Sequence, residues 1–200
     1  MTGTRIPLWS TLVVGIAVAI MIALGIWQLQ RATWKEALLA RYQVARTLPP
    51  MAWPAVPVDA ETLLFRRAGG HCLTVTGWAA KAGRSIRGES GWRHIAACRT
   101  GGAEGPGLQA DMGWSTSATP PQGWAGGRVT GTITEDRAHR ILLVADTPAP
   151  GLQPSLPPSP QEIPNNHRAY AVQWFLFAGV AAIIYALALR RKGRGATIPG

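Results

Sequence analysis

Leu12-Val-Val-Gly-Ile-Ala-Val-Ala-Ile-Met-Ile-Ala-Leu24 decides the fold. No residue from Ile6 to Gln30 carries a charge, so about 20 apolar residues are available. That length takes a helix across ~30 Å of hydrocarbon with every backbone amide bonded within the segment. Toward the C-terminus the pattern returns: Ala169 to Leu189 is free of charge, carries Trp174 and Phe175 near its start, and closes on Arg190, Arg191, Lys192 and Arg194. Both stretches read as transmembrane helices. A cleaved signal peptide is the alternative for the first, since Arg5 precedes the apolar run and Ala17-Val-Ala19 has the small-x-small form of a cleavage site. The run continues well past Ala19, however, and the apolar core of a signal peptide is shorter.

Two spans place both termini on one side. Lys and Arg near the helix ends do not discriminate, with Arg5, Arg190, Arg191, Lys192 and Arg194 on the terminal side and Arg31, Lys35, Arg41, Arg46 and Arg168 on the other. The cluster Arg190–Arg194 favours cytoplasmic termini, because a long domain can be translocated regardless of its charge. After Gln30 the spacing of Trp34, Leu38, Tyr42 and Ala45 predicts that the first helix continues as an amphipathic stalk, ended by Pro49, Pro50, Pro54 and Pro57. Runs rich in β-formers follow at Cys72 to Trp78, Trp92 to Cys98, Leu108 to Trp114, Arg128 to Thr134 and Ile141 to Ala145. Gly101 to Gly107 and Thr119 to Gly127 read as turns. The expected fold is therefore a membrane protein with two transmembrane α-helices flanking a small antiparallel β domain, a barrel or sandwich. Its expected layout is a cytoplasmic tail at 1–8, a span at 9–30, a stalk at 31–48, an extracytoplasmic β domain at 49–146, a Pro-rich linker at 147–166, a span at 167–189 and a basic cytoplasmic tail at 190–200.

The net charge of +10 points away from nucleic acid once it is located. Five basic residues lie in the tails, and residues 31–168 carry 15 basic against 10 acidic residues, spread out rather than gathered on one helix. Anionic membrane lipids suit Arg190 to Arg194. Cys72 and Cys98 are too far apart for a Cys-x-x-Cys site, and either a disulfide or two buried thiols is open to them. No Gly-x-Ser-x-Gly elbow, phosphate loop or His-Glu-x-x-His is present, and Glu135-Asp136 reads as a solvated turn, so the chain is expected not to be an enzyme.

The informative residues stand where the spans meet the central domain. Trp27, Arg31, Trp34 and Lys35 share one helical face, as do His167, Tyr170, Ala171 and Trp174. Interface anchoring accounts for such aromatic and basic residues. Pro164-Asn165-Asn166 adds a helix start with Asn as N-cap, setting His167 in the first turn, where a neutral imidazole can coordinate a metal or haem iron.

Gly25-Ile-Trp-Gln-Leu-Gln-Arg-Ala-Thr-Trp-Lys35 and Ile163-Pro-Asn-Asn-His-Arg-Ala-Tyr-Ala-Val-Gln-Trp-Phe175 resemble the two end signatures of the Surfeit-locus-one family, assembly factors for haem-copper cytochrome c oxidase. Val75-Thr-Gly77, Gly113-Trp114 and Val129-Thr-Gly131 match weaker landmarks of that family between them. Two departures stand out: Met112 occupies the place of an Arg before the Gly-Trp pair, and Arg168 that of an apolar residue after Asn-Asn-His. The resemblance implies a multi-pass protein of the bacterial inner membrane, with its central domain periplasmic and both termini cytoplasmic. It implies help with inserting haem a into oxidase subunit I, with that subunit and the haem a synthesis machinery as partners. It also implies haem bound through His167, with Trp27, Gln28, Arg31, Asn165, Asn166, Tyr170 and Trp174 around it; in such a carrier Arg31 or Lys35 is expected to pair with propionates. A cofactor-free membrane scaffold docking oxidase subunits through the β domain and the Trp-rich helix faces is the alternative. Copper delivery lacks a Cys-x₃-Cys or Met-rich cluster.

Overall fold

The computed structural model describes residues 8–55, 59–101 and 107–195, with backbone only for 192–195. Nearly all of the tail expected at 1–8, most of the turn at Gly101 to Gly107, residues 196–200 of the basic tail and the side chains of Lys192 and Arg194 lie outside the described residues. The chain divides into a helical unit, Met1–Leu38 with Pro164–Gly200, and a sheet unit, Leu39–Ile163.

Helix α1 runs without a break over Leu8–Thr47, 40 residues and about 60 Å. The apolar run passes directly into the Trp34–Ala45 periodicity, and the helix stops before Pro49 because a residue preceding proline is pushed out of the α region. Helix α3 spans His167–Gly195. Both are long and apolar enough to cross a membrane. Their large apolar side chains, among them Leu12, Ile16 and Ile20 on α1 and Val180, Ile183 and Leu187 on α3, are exposed rather than packed in a core. This pattern is consistent with a membrane protein, since a soluble chain rarely leaves so continuous an apolar surface to water.

The sheet unit holds strands β1 (Met51–Ala52), β2 (Arg67–Cys72), β3 (Thr74–Arg84), β4 (Ser90–Arg99), β5 (Leu108–Ser115), β6 (Gly127–Asp136) and β7 (Arg140–Ala145), with a short helix α2 at Ala60–Leu63. The expected antiparallel barrel or sandwich is corrected on two points. The strands form one sheet in the order β1-β2-β6-β7-β5-β4-β3, which is open at β1 and β3, and the sheet is mixed. Strand β7 turns back from β6 as a hairpin and enters between β6 and β5. A strand placed between two strands of opposite direction must run parallel to one of them, here β5, and β1 is likewise parallel to β2. The sheet curls strongly. Strands β2 and β4 stand four spacings apart in the order, about 19 Å on a flat sheet, yet Cys72 and Cys98 are joined in a disulfide with a Cα separation of 5.1 Å.

Inside the curl lie Leu108, Ala110 and Met112 of β5, Ile133 of β6, Leu143 of β7, and the disulfide. Met112, the residue departing from the family pattern, is a core side chain at 4% exposure. The Pro-rich stretch after β7 is extended but anchored. Gln153 forms a bridge with Trp114, Ser155 with Ser85, and the Ser155 hydroxyl donates to buried Asp111 at 2.9 Å.

Candidate functional site at the helix pair

Within the helical unit the shielded positions of α1, namely Thr11, Val14, Val18, Met21, Gly25, Gln28 and Ala32, recur at alternating three and four residues. Those of α3 do the same at His167, Ala171, Trp174, Ala178, Ala181 and Tyr185. This is the seam of two helices packed nearly parallel to each other's axes. Its contacts pair Thr11 with Tyr185 at 2.5 Å, Gly25 with the Phe175 ring, and Gln28 with His167, so the helices run antiparallel. The glycine at position 25 lets the Phe175 ring lie against α1: a Cβ would stand 2.6 Å from Phe175 Cε1, and the ring would have to move aside. Two small residues continue the seam at 2% and 0% exposure, Ala32 two turns beyond Gly25 and Ala171 one turn before Phe175.

His167 opens α3. The Asn166 carbonyl accepts from the Tyr170 N–H at 3.2 Å, which puts Asn166 at the N-cap position. The imidazole is half-buried, and its Nδ1 lies 2.8 Å from the Gln28 carbonyl oxygen. In the Nδ1–H tautomer the ring donates to that oxygen and carries its lone pair on Nε2. Among the described residues Nε2 has no hydrogen-bond partner, and the buried Asn165 Oδ1 is also unpaired.

The other expected site residues separate into two groups. Gln28, His167, Asn165 and half-buried Trp174 belong to the seam or its mouth, and Trp174 meets Phe177 edge-on at 6.2 Å. Trp27, Arg31 and Trp34 are exposed on the outer surface of α1, where the Arg31 guanidinium lies 4.2 Å above the Trp34 ring. Tyr170 and Asn166 are exposed, and Lys35 is half-buried. Sequence reasoning missed Glu36, whose carboxylate holds Arg168 in a two-pronged ion pair at 2.8 and 2.9 Å. The unusual Arg168 was itself the signal that an acid one or two turns beyond Gln28 would face it. Among the described residues no three His, Cys, Asp or Glu side chains converge as a metal-binding group.

Residues 15–179 match the model of one protein family, described as the SURF1 family. No curated protein sequence matches the chain.

Proposed function

The chain belongs to the SURF1 family, which is associated with cytochrome c oxidase assembly, and on that premise we propose that it is a non-enzymatic carrier assisting insertion of haem a into oxidase subunit I. One observation carries this reading: the Gln28–His167 hydrogen bond orients the imidazole at a helix start with Nε2 free. Ligating histidines are held in this way, one nitrogen tied to a carbonyl or carboxylate and the other presented to the metal. The residues at hand fit a haem. His167 Nε2 would be the ligand that holds a haem iron, the group whose insertion the carrier assists. Tyr170 and Trp27 offer exposed aromatic faces at the same helix ends, Asn165 Oδ1 is a buried acceptor without a donor, and Arg31 on the outer surface of α1 or half-buried Lys35 would pair with propionates. With the sheet unit and the Cys72–Cys98 disulfide placed in the periplasm, an oxidising compartment keeps that bond closed. A phosphatase inserted at the exposed turn residue Gly123 is then active, and an inactive fusion beside an active cytoplasmic reporter overturns this topology.

His167→Ala leaves the Asn166 carbonyl and the apolar span in place, so the protein still inserts and accumulates while haem bound to the purified chain, read by its absorption spectrum, falls selectively. The scaffold reading draws on the exposure of Trp27 and Trp34, at 53% and 47%. It assigns His167 only an interface hydrogen bond worth ~1 kcal/mol. Equal haem content in wild type and variant at matched protein level retires the carrier and leaves the scaffold.

A further inference from the structure

The sheet unit carries a groove of about 770 Å³ along β2 that the helix-pair reading does not use. Its size falls within the ~300–1,000 Å³ of small-molecule sites, and its two walls differ in character. One is the stretch from Pro50 to Pro54, apolar and pinned in place: the Trp53 backbone N–H donates to the Gly69 carbonyl at 2.7 Å, and the indole N–H to the Gly107 carbonyl at 2.8 Å. The other wall is the β2–β6 ladder. There His71 stands directly opposite Arg128, and Gly69 opposite Thr130. Alternation along a strand puts Arg67, Gly69 and His71 on the same face as Arg128 and Thr130. Gly69 is the bare step of this row. A Cβ there would meet only the Thr130 methyl at 3.5 Å and the Val129 carbonyl at 3.6 Å, so the strip between Arg67 and His71 is open because a side chain is missing, not because a neighbour fills it.

Among the described residues the groove is lined by Arg67, His71 and Arg128 and by no carboxylate. Asp146 already neutralises Arg67 with paired hydrogen bonds of 2.8 and 2.6 Å. The Arg128 side chain is exposed and, among the described residues, has no ion pair or hydrogen bond. A guanidinium, an imidazole facing it across the ladder and the Thr130 hydroxyl thus form a donor set beside an apolar wall. We propose that this groove binds an organic anion, a phosphate or carboxylate borne on an apolar body, with Arg128 and His71 on the anionic group and Ala52 and Pro54, which alternate onto the Gly69 face of the sheet, against the body.

Phenyl phosphate is the probe, titrated by calorimetry into the full chain held in phosphatidylcholine nanodiscs, with far-UV circular dichroism confirming that each variant is folded. Saturable binding to the wild type is expected, with no binding of phenol. Affinity falls about tenfold in Arg128→Gln and in His71→Gln, vanishes in Gly69→Asp, which sets a carboxylate in the bare strip, and is unchanged in Arg84→Gln on β3. Discs containing phosphatidylglycerol separate the two sources of such an anion. Unchanged phenyl phosphate affinity there assigns the groove to a soluble ligand, competitive weakening assigns it to a lipid headgroup, and either supports the site. Absence of saturable binding to the wild type overturns the proposal, as does wild-type affinity in Arg128→Gln together with Gly69→Asp. If one variant fails to fold, the other and His71→Gln decide.

Discussion

Replacing Asp111 by Ala tests the most heavily buried charge in the sheet unit. Its carboxylate is fully buried. One oxygen takes the Arg93 Nε–H at 2.6 Å, with Arg93 Nη2 also 2.6 Å away, and the other accepts from the Gly113 N–H at 3.1 Å and the Ser155 hydroxyl at 2.9 Å. Removing one member of a buried ion pair costs roughly 3–5 kcal/mol. The Arg93 side chain keeps 24% exposure, so part of its charge stays hydrated and the lower figure, about 3 kcal/mol, applies to the pair. The unpaired Ser155 hydroxyl and Gly113 N–H bring the expected loss to about 4 kcal/mol, a large share of the 5–15 kcal/mol typical of a domain. Asp111→Asn keeps an acceptor for Ser155 and Gly113 and loses the charge, so it is expected to cost about half as much. Urea unfolding of the full chain in detergent, followed by tryptophan emission, measures both, and a cycle with Arg93→Met isolates the pair. Proteolysis should also reach the Pro-rich stretch around Ser155 sooner once its anchor is gone. A loss under about 1 kcal/mol for Asp111→Ala, or strict additivity with Arg93→Met, would refute the reasoning.

Three further outcomes are expected. Opening the Cys72–Cys98 bond, whose partners are 26 residues apart, should lower stability by about 3.5 kcal/mol through the entropy regained by the unfolded chain; unchanged urea midpoints with and without reductant contradict this. Burial holds the His94 imidazole below its ordinary pKa of 6.5, outweighing the opposing pull of the Ser117 carbonyl and of Asp111. The unfolded chain therefore takes up this proton before the folded one does, so the contribution is complete above about pH 6.5 and is lost as pH falls through the folded value; His94→Gln should flatten the fall in urea midpoint from about pH 7 to pH 5, and an unchanged slope would count against the assignment. Gly25→Leu places a branched side chain where even a Cβ is 2.6 Å from Phe175, so spin labels on exposed Leu12 and Leu187 should report a longer, broader distance distribution, and a wild-type distribution would show that the seam does not depend on this glycine.

Much of the chain was legible without its structure because the signals are local. An uncharged run of span length forces a helix wherever it sits, and Pro49-Pro50 ends one irrespective of neighbours. Strands β3 to β7 announced themselves as β-rich runs between turn residues, and the start of α3 at Asn166 followed from cap chemistry. Strand β2 did not. Arg67-Ala-Gly-Gly-His-Cys72 has poor strand propensity, and Gly70 is there because a side chain would press on Leu108 at 3.1 Å and on Trp53 at 3.2 Å. Sheet order, the two parallel pairs and the meeting of Cys72 with Cys98 are likewise long-range, since strand pairing depends on which edges the curl brings together and no local pattern records that.

The helix pair shows the same division most sharply. Sequence alone marked both helix ends, singled out His167 and put Trp27, Arg31 and Trp34 on one helical face, but it did not say which face meets the second helix. Packing decided that. Two helices approach most closely where side chains are smallest, so Gly25, Ala32, Ala171 and Ala178 form the seam, Gln28 is the polar residue that seam delivers to His167, and the large aromatic and cationic side chains are left on the outside. Helical periodicity says which residues share a face; only the fit of two surfaces says which face is used.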